Sequence, residues 1–183
     1  MKMNIIVKPY GNELFYCRPD TTWERENRDF YSPECVNEIY CTPVAFARVC
    51  KAGKCVGAKF AGRYYDGVGC GILLYGASDN GMIPYIDKSS ILPMPLYNPV
   101  VMEDAKEFEM VVNGESRTMT VCDIKENLEN TICRSSELMT LRVGDYVAVE
   151  LEPMQLMCKR EAGEIGISGK FCGNDIYSLK VIF

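Results

Sequence analysis

Apolar residues in this chain fall in short runs, continuous or alternating, that are closed off by Gly, Pro and Asn. Such runs at Asn4 to Lys8, Val44 to Cys50, Gly71 to Tyr75, Phe108 to Val112, Tyr146 to Leu151 and Tyr177 to Phe183 predict β-strands, because strands turn successive side chains to opposite faces and end in turn residues. The most explicit local signal is Glu107 to Met119, where Asn113-Gly114 separates two strand-like stretches. Asn-Gly tolerates the two positive φ angles of a type I′ turn, so this segment predicts a hairpin.

A helical period follows it. Val121, Ile124, Leu128 and Ile132 recur at steps of three and four and share one helix face; Thr120 and Asp123 approximate a capping box, and the end is expected near Ser135-Ser136. A shorter helix is expected over Val56 to Tyr65, where Phe60 and Tyr64 lie one turn apart, before Gly67 and Gly69 break the pattern. Ile83 to Pro99 holds Pro84, Pro93, Pro95 and Pro99 and reads as an extended surface connection, since proline suits neither a central strand nor a helix interior. The elements sum to an α+β, mainly β domain over residues 1–183, with one or two short helices.

Composition narrows the function. The 183 residues suit a single domain with a sizeable core, one burying roughly 70 % of its unfolded surface. Twenty Lys and Arg against 25 Asp and Glu give a dispersed net charge of −5, with no basic stripe to neutralise phosphates, so nucleic acid is not an expected partner. No apolar run approaches the ~18 residues of a membrane span, and the stretch before Lys8-Pro9 is too short for a secretory signal. A cytoplasmic protein without a membrane partner is therefore expected. The ten cysteines never form a Cys-x-x-Cys pair, so they read as reduced core thiols rather than zinc ligands or a disulfide framework.

The chain contains no histidine. This excludes every Ser-His-Asp or Cys-His arrangement, every His-metal site and every imidazole base. Other suggestive stretches have plainer readings. Gly163 to Lys170 has Glu164 and Phe171 where a phosphate loop requires Gly and Ser or Thr. Gly67-Val-Gly69-Cys-Gly71 lacks the rest of a dinucleotide fingerprint. Met154, Met157 and Cys158 read as core filler, and Trp23, Tyr64-Tyr65 and Tyr97-Asn98 suit a strand-rich core as well as an aromatic pocket.

Three stretches, in order, resemble the fumarylacetoacetate hydrolase family, Mg²⁺- or Mn²⁺-dependent enzymes that act on acylpyruvates and related 2-oxo acids. They are Cys17-Arg18-Pro19-Asp20-Thr21, similar to the family's Lys-Pro-Asp-Thr; Val111-Val112-Asn113-Gly114-Glu115, similar to its Val-Asn-Gly-Glu hairpin; and the helix over 121–134 running into Thr140-Leu141-Arg142-Val143-Gly144-Asp145. Phe60 to Gly71 resembles the segment entering the strand of a metal ligand. The resemblance covers about residues 12–150 and implies a mixed-sheet roll or sandwich. An unrelated barrel or sandwich would lack a hairpin at 107–119 leading directly into a helix.

The resemblance also implies what is missing. The family holds its metal with a Glu-x-Glu pair and a later Asp, the oxygen ligands that a hard cation requires. Those positions fall on Cys41, Pro43 and Leu73, within Ile39 to Val44 and Gly71 to Leu74; a slip of a few residues would bring Glu34 or Glu38 toward the first. The family's Lys is replaced by Pro84 ahead of Ile86-Asp87, and its Thr-Gly-Thr-Pro by Glu150-Leu151-Glu152-Pro153. No metal and no other cofactor is expected, and the metal's Lewis-acid contribution should be absent. The expected ligand pocket is lined by Cys41, Leu73 and Asp87 and takes a small organic acid, on a scaffold that binds a ligand or protein and is expected, from the resemblance, to form a homodimer. The rival reading is a metal-free hydrolase, isomerase or decarboxylase of 2-oxo acids using Asp87, Lys88 or a thiolate of Cys41 or Cys70.

Overall fold

The computed structural model describes residues 3–183. In chain order its strands are β1 (Asn4–Lys8), β2 (Tyr16–Pro19), β3 (Trp23–Glu24), β4 (Phe30–Tyr31), β5 (Glu38–Val49), β6 (Tyr65–Ser78), β7 (Gly81–Ile83), β8 (Ser90–Ile91), β9 (Lys106–Val112) and β10 (Glu115–Val121). Helix α1 (Ile124–Leu138) follows, then β11 (Tyr146–Glu150), β12 (Gln155–Lys159), β13 (Glu164–Phe171) and β14 (Asn174–Ile182). One sheet runs β2-β1-β11-β5-β6-β8-β3, with β12 also on β5 and β7 on β6; the other runs β10-β9-β13-β14-β4. The mainly β, α+β reading holds, and the hairpin β9–β10 does lead into α1.

All six predicted strands form, but β5 and β6 run well past the apolar runs that predicted them. The reason at Pro43 is instructive. β11 pairs with Val44 to Arg48 and β12 with Glu38 to Cys41, so Pro43 lies at the junction between two partners. Its carbonyl accepts from the Leu151 N–H at 2.9 Å, which puts its nitrogen on that same side, where no ladder bond is lost. β6 tolerates its glycines for a different reason: a Cβ on Gly71 would stand 2.2 Å from the Ile91 carbonyl oxygen. The Gly67 to Gly71 stretch is therefore a strand pressed against its neighbour, and Gly163 to Lys170 belongs largely to β13.

Strand alternation divides the core. Ile39, Cys41, Ala45 and Ala47 of β5 join Cys70, Ile72 and Leu74 of β6, facing Phe108, Met110, Phe171 and Tyr177 of the second sheet and Leu128 and Ile132 of α1. The alternate residues Val44, Phe46, Leu73 and Tyr75 form a smaller cluster on the far face with Ile5, Val7, Leu92 and Tyr146. The expected aromatic groups are split likewise. Trp23 packs on Tyr146 at 5.0 Å between centroids, and Tyr97 meets Phe171 edge-on at 5.2 Å.

The helix expectations need correction at both ends. Thr120 pairs with Glu107 in the hairpin instead of capping α1, and Asp123 enters the helix at φ 54° with no side-chain cap. At the other end α1 passes Ser135-Ser136 and stops at Leu138. The serine hydroxyls turn back onto Thr131 and Cys133 carbonyls at 2.6 and 2.7 Å, so they do not compete with the helix. The Val56 to Tyr65 helix is reduced to a 3₁₀ turn over Ala58–Arg63, because Tyr65 is drawn into β6. Ile83 to Pro99 is mostly irregular but contains β8, whose Ser90 is buried rather than at the surface.

Candidate functional site

Cys41 and Pro43, two residues apart on β5, share the face toward the second sheet. Across from them, β9–β10 presents Met110, Val112, Glu115 and Arg117 to the cavity, the last two exposed at its mouth; Arg117 pairs with Met110 and Glu115 with Val112, so all four lie on one side of the ladder. The third wall is the connection from β11 to β12. Glu152 is fixed there because its carbonyl accepts from Thr42 Oγ1 at 2.7 Å, and Gln155 stands opposite Cys41 in the ladder. These walls enclose a cavity of about 260 Å³. Its floor is apolar and sulfur-rich (Cys41, Pro43, Met110, Met157), and its rim is charged (Glu115, Arg117, Glu152). Arg117 closes one side by donating from Nη1 to Gln155 Oε1. Larger hollows of about 430 and 490 Å³ flank α1, but of the three the smallest contains Cys41 and Pro43.

Burial pushes the Cys41 thiol up to about 12, against the pull of the Arg117 guanidinium, with Cys158 and Glu152 adding to the rise. Burial also pushes Cys70 well above its ordinary value. Both thiols are protonated near neutrality, which removes the thiolates that the metal-free enzyme reading called on.

The structure does not bring the expected pocket residues together. Cys41 pairs with Leu74, Pro43 with Ile72, and Leu73 with Thr42. Paired residues share a face, so Leu73 points into the small far-side cluster and Leu74 stands beside Cys41. Asp87 and Lys88 lie in the turn before β8, beyond β6 from β5; Asp87 is exposed, and Lys88, at φ 61°, donates its backbone N–H to Thr21. Neither lines the cavity. Glu38 lies on the far face of β5, where it pairs with Lys159 at 2.9 Å and accepts from the Tyr40 hydroxyl. Glu34 is exposed.

The face that the family resemblance assigns to a metal thus presents a protonated thiol, a proline and a leucine. Among the described residues, no three His, Cys, Asp or Glu side chains converge where an ion would sit. This donor set does not fit a hard divalent cation, which takes oxygen ligands. Arg117, Glu115 and Glu152 were missed as site residues in the sequence. The available signal was alternation along the Asn-Gly hairpin, which puts positions 115 and 117 on the same side as 110 and 112.

A scan against protein-family models finds no match, and neither does a search of curated proteins. Solved structures do match. A protein from Yersinia pestis CO92, described as of the fumarylacetoacetate hydrolase family, superposes with a TM-score of 0.77 at 14 % identity, over 99 % of this chain and 92 % of its own. The 5-carboxymethyl-2-hydroxymuconate delta-isomerase of Mycobacterium smegmatis gives 0.79 at 15 % identity, over 99 % and 78 %. Fumarylpyruvate hydrolase from Pseudomonas aeruginosa, solved with Mn²⁺ and pyruvate, gives 0.75 at 15 % identity, over 100 % and 90 %. This chain has the fumarylacetoacetate hydrolase fold. Within that fold it carries Cys41, Pro43 and Leu74 on one face, and no helix among the described residues is long and apolar enough to cross a membrane.

Proposed function

We propose that this chain is a binding protein on a fumarylacetoacetate hydrolase scaffold, which holds a small organic acid in the Cys41 cavity and has lost the metal-dependent chemistry of the fold. The observation that carries this reading is the neutral face of Cys41, Pro43 and Leu74 beneath the guanidinium of Arg117. A carboxylate entering the cavity meets a planar, permanently charged fork suited to bidentate binding. Its apolar remainder lies against thiol, thioether and proline. No nucleophile is activated at the floor, so the site binds without a group to carry turnover.

Calorimetric titration tests this reading. Metal-stripped protein is expected to give no heat with Mn²⁺, with or without oxalate, and a saturable signal with 4-methyl-2-oxopentanoate that Arg117→Leu abolishes. Mn²⁺ binding at micromolar strength, tightened by oxalate, would overturn the proposal in favour of a metal-dependent enzyme.

A further inference from the structure

The cavity rim holds charges of both signs that do not neutralise one another. Among the described residues, neither Glu115 nor Glu152 lies within salt-bridge distance of a cation, and Arg117 within that of no carboxylate. The hydrogen bond of Arg117 to Gln155 engages a neutral amide and leaves guanidinium N–H groups free. A simple organic acid satisfies Arg117 and leaves two carboxylates unmatched around it, and a dicarboxylate is repelled by them. The volume of about 260 Å³ is below the ~300–1,000 Å³ of pockets for drug-sized ligands, so one small molecule fills it.

We infer that the ligand is a small zwitterion with an apolar tail, an aliphatic or thioether α-amino acid. Its carboxylate binds Arg117, its ammonium lies between Glu115 and Glu152, and its tail rests on Cys41, Pro43 and Met110. This inference rests on the reading of the cavity as an organic-acid site and adds the second charge to it. It makes Glu115 and Glu152 specificity-determining residues, because they distinguish an amino acid from the 2-oxo acid of the same skeleton.

Leucine and 4-methyl-2-oxopentanoate make that comparison, since they differ only at the α-carbon. Calorimetry on the full chain is expected to show leucine bound about tenfold or more tightly, as one charge-assisted contact implies. The double variant Glu115→Gln, Glu152→Gln should erase the preference, with unchanged thermal denaturation as the folding control because both side chains are at the rim. Equal affinities, or a preference for the oxo acid, would overturn the zwitterion and leave the carboxylate site standing. Silence with both ligands would overturn the site itself.

Discussion

The guanidinium of Arg18 lies 4.3 Å from the centroid of the Tyr75 ring, and its Nη1 donates to the carbonyl of the preceding residue, Leu74, at 3.1 Å. Arg18 is fully buried and, among the described residues, has no carboxylate at salt-bridge distance. The Ser89 and Ser90 hydroxyls and the Ser89 carbonyl take the remaining Nη1 contacts. Arg18 therefore pins β6 to β8 from behind the candidate site. Arg18→Ala leaves these acceptors unsatisfied and a void where the side chain lay, offset in part by loss of a buried charge whose Nη2 has no partner among the described residues, and is expected to lower the unfolding free energy by about 1–3 kcal/mol. Arg18→Lys, which lacks the planar fork, should lose roughly half as much. Urea denaturation midpoints at constant m-value measure both.

Tyr75 links that cation to a carboxylate. Its hydroxyl donates to Glu150 Oε1 and sits 2.6 Å from the Tyr16 hydroxyl, while Glu150 Oε2 accepts the Tyr10 backbone N–H. Burial pushes the Tyr75 hydroxyl far above its ordinary range, so it stays a donor at all accessible pH. Tyr75→Phe removes that donor from a nearly buried carboxylate and should cost about 1–3 kcal/mol. Combined with Arg18→Ala in a double-mutant cycle, it should be less than additive, because the two residues belong to one network.

Tyr177 is the opposite case. Its ring is 1 % exposed, and its hydroxyl has no hydrogen-bond partner among the described residues. Tyr177→Phe should therefore stabilise the protein, by about 1 kcal/mol, because it removes a desolvated group that gains nothing in the fold. A lower thermal midpoint in the variant would count against this.

The thiol of Cys41 sets a pH dependence of stability. Its ordinary value of 9.0 rises to about 12 in the fold, so between those values the unfolded chain has released a proton that the folded chain keeps. Stability then falls as pH rises, by about 1.4 kcal/mol per unit inside that window, and is unaffected by this group below it. Denaturation profiles from pH 8 to 10.5 should show the decline, with a shallower slope in Cys41→Ala. Iodoacetamide at pH 8 should label exposed Cys35, Cys55 and Cys122 and spare Cys41 and Cys70.

The centre of each strand was legible because apolar alternation there reflects burial on a sheet face. Strand ends were not, since Glu38 to Pro43 is held by ladder bonds to β6 and β12 that leave no apolar signature at Glu38 or Thr42. The helix face 124, 128, 132 was readable for the same reason as the strand centres, while its caps were decided by the hairpin and by serine hydroxyls turning inward. At the site, strand alternation puts Cys41 and Pro43 on one face of β5, whereas the register of β6 puts Leu73 on the other. That register is invisible in a continuous apolar run such as Ile72-Leu73-Leu74, where every residue suits either face. Arg117 and Glu152 were hidden because they reach the cavity from segments far apart in sequence.

The division of β5 between two packing environments has an evolutionary consequence. Cys41 and Pro43 line the cavity while Val44 and Phe46 pack in the smaller cluster, so a change of chemistry at the first pair leaves the packing of the second in place. A lineage can thus alter one face of the strand one alternate residue at a time while the opposite face keeps it in register. On such a strand, lining a cavity and holding the sheet together fall largely to different side chains.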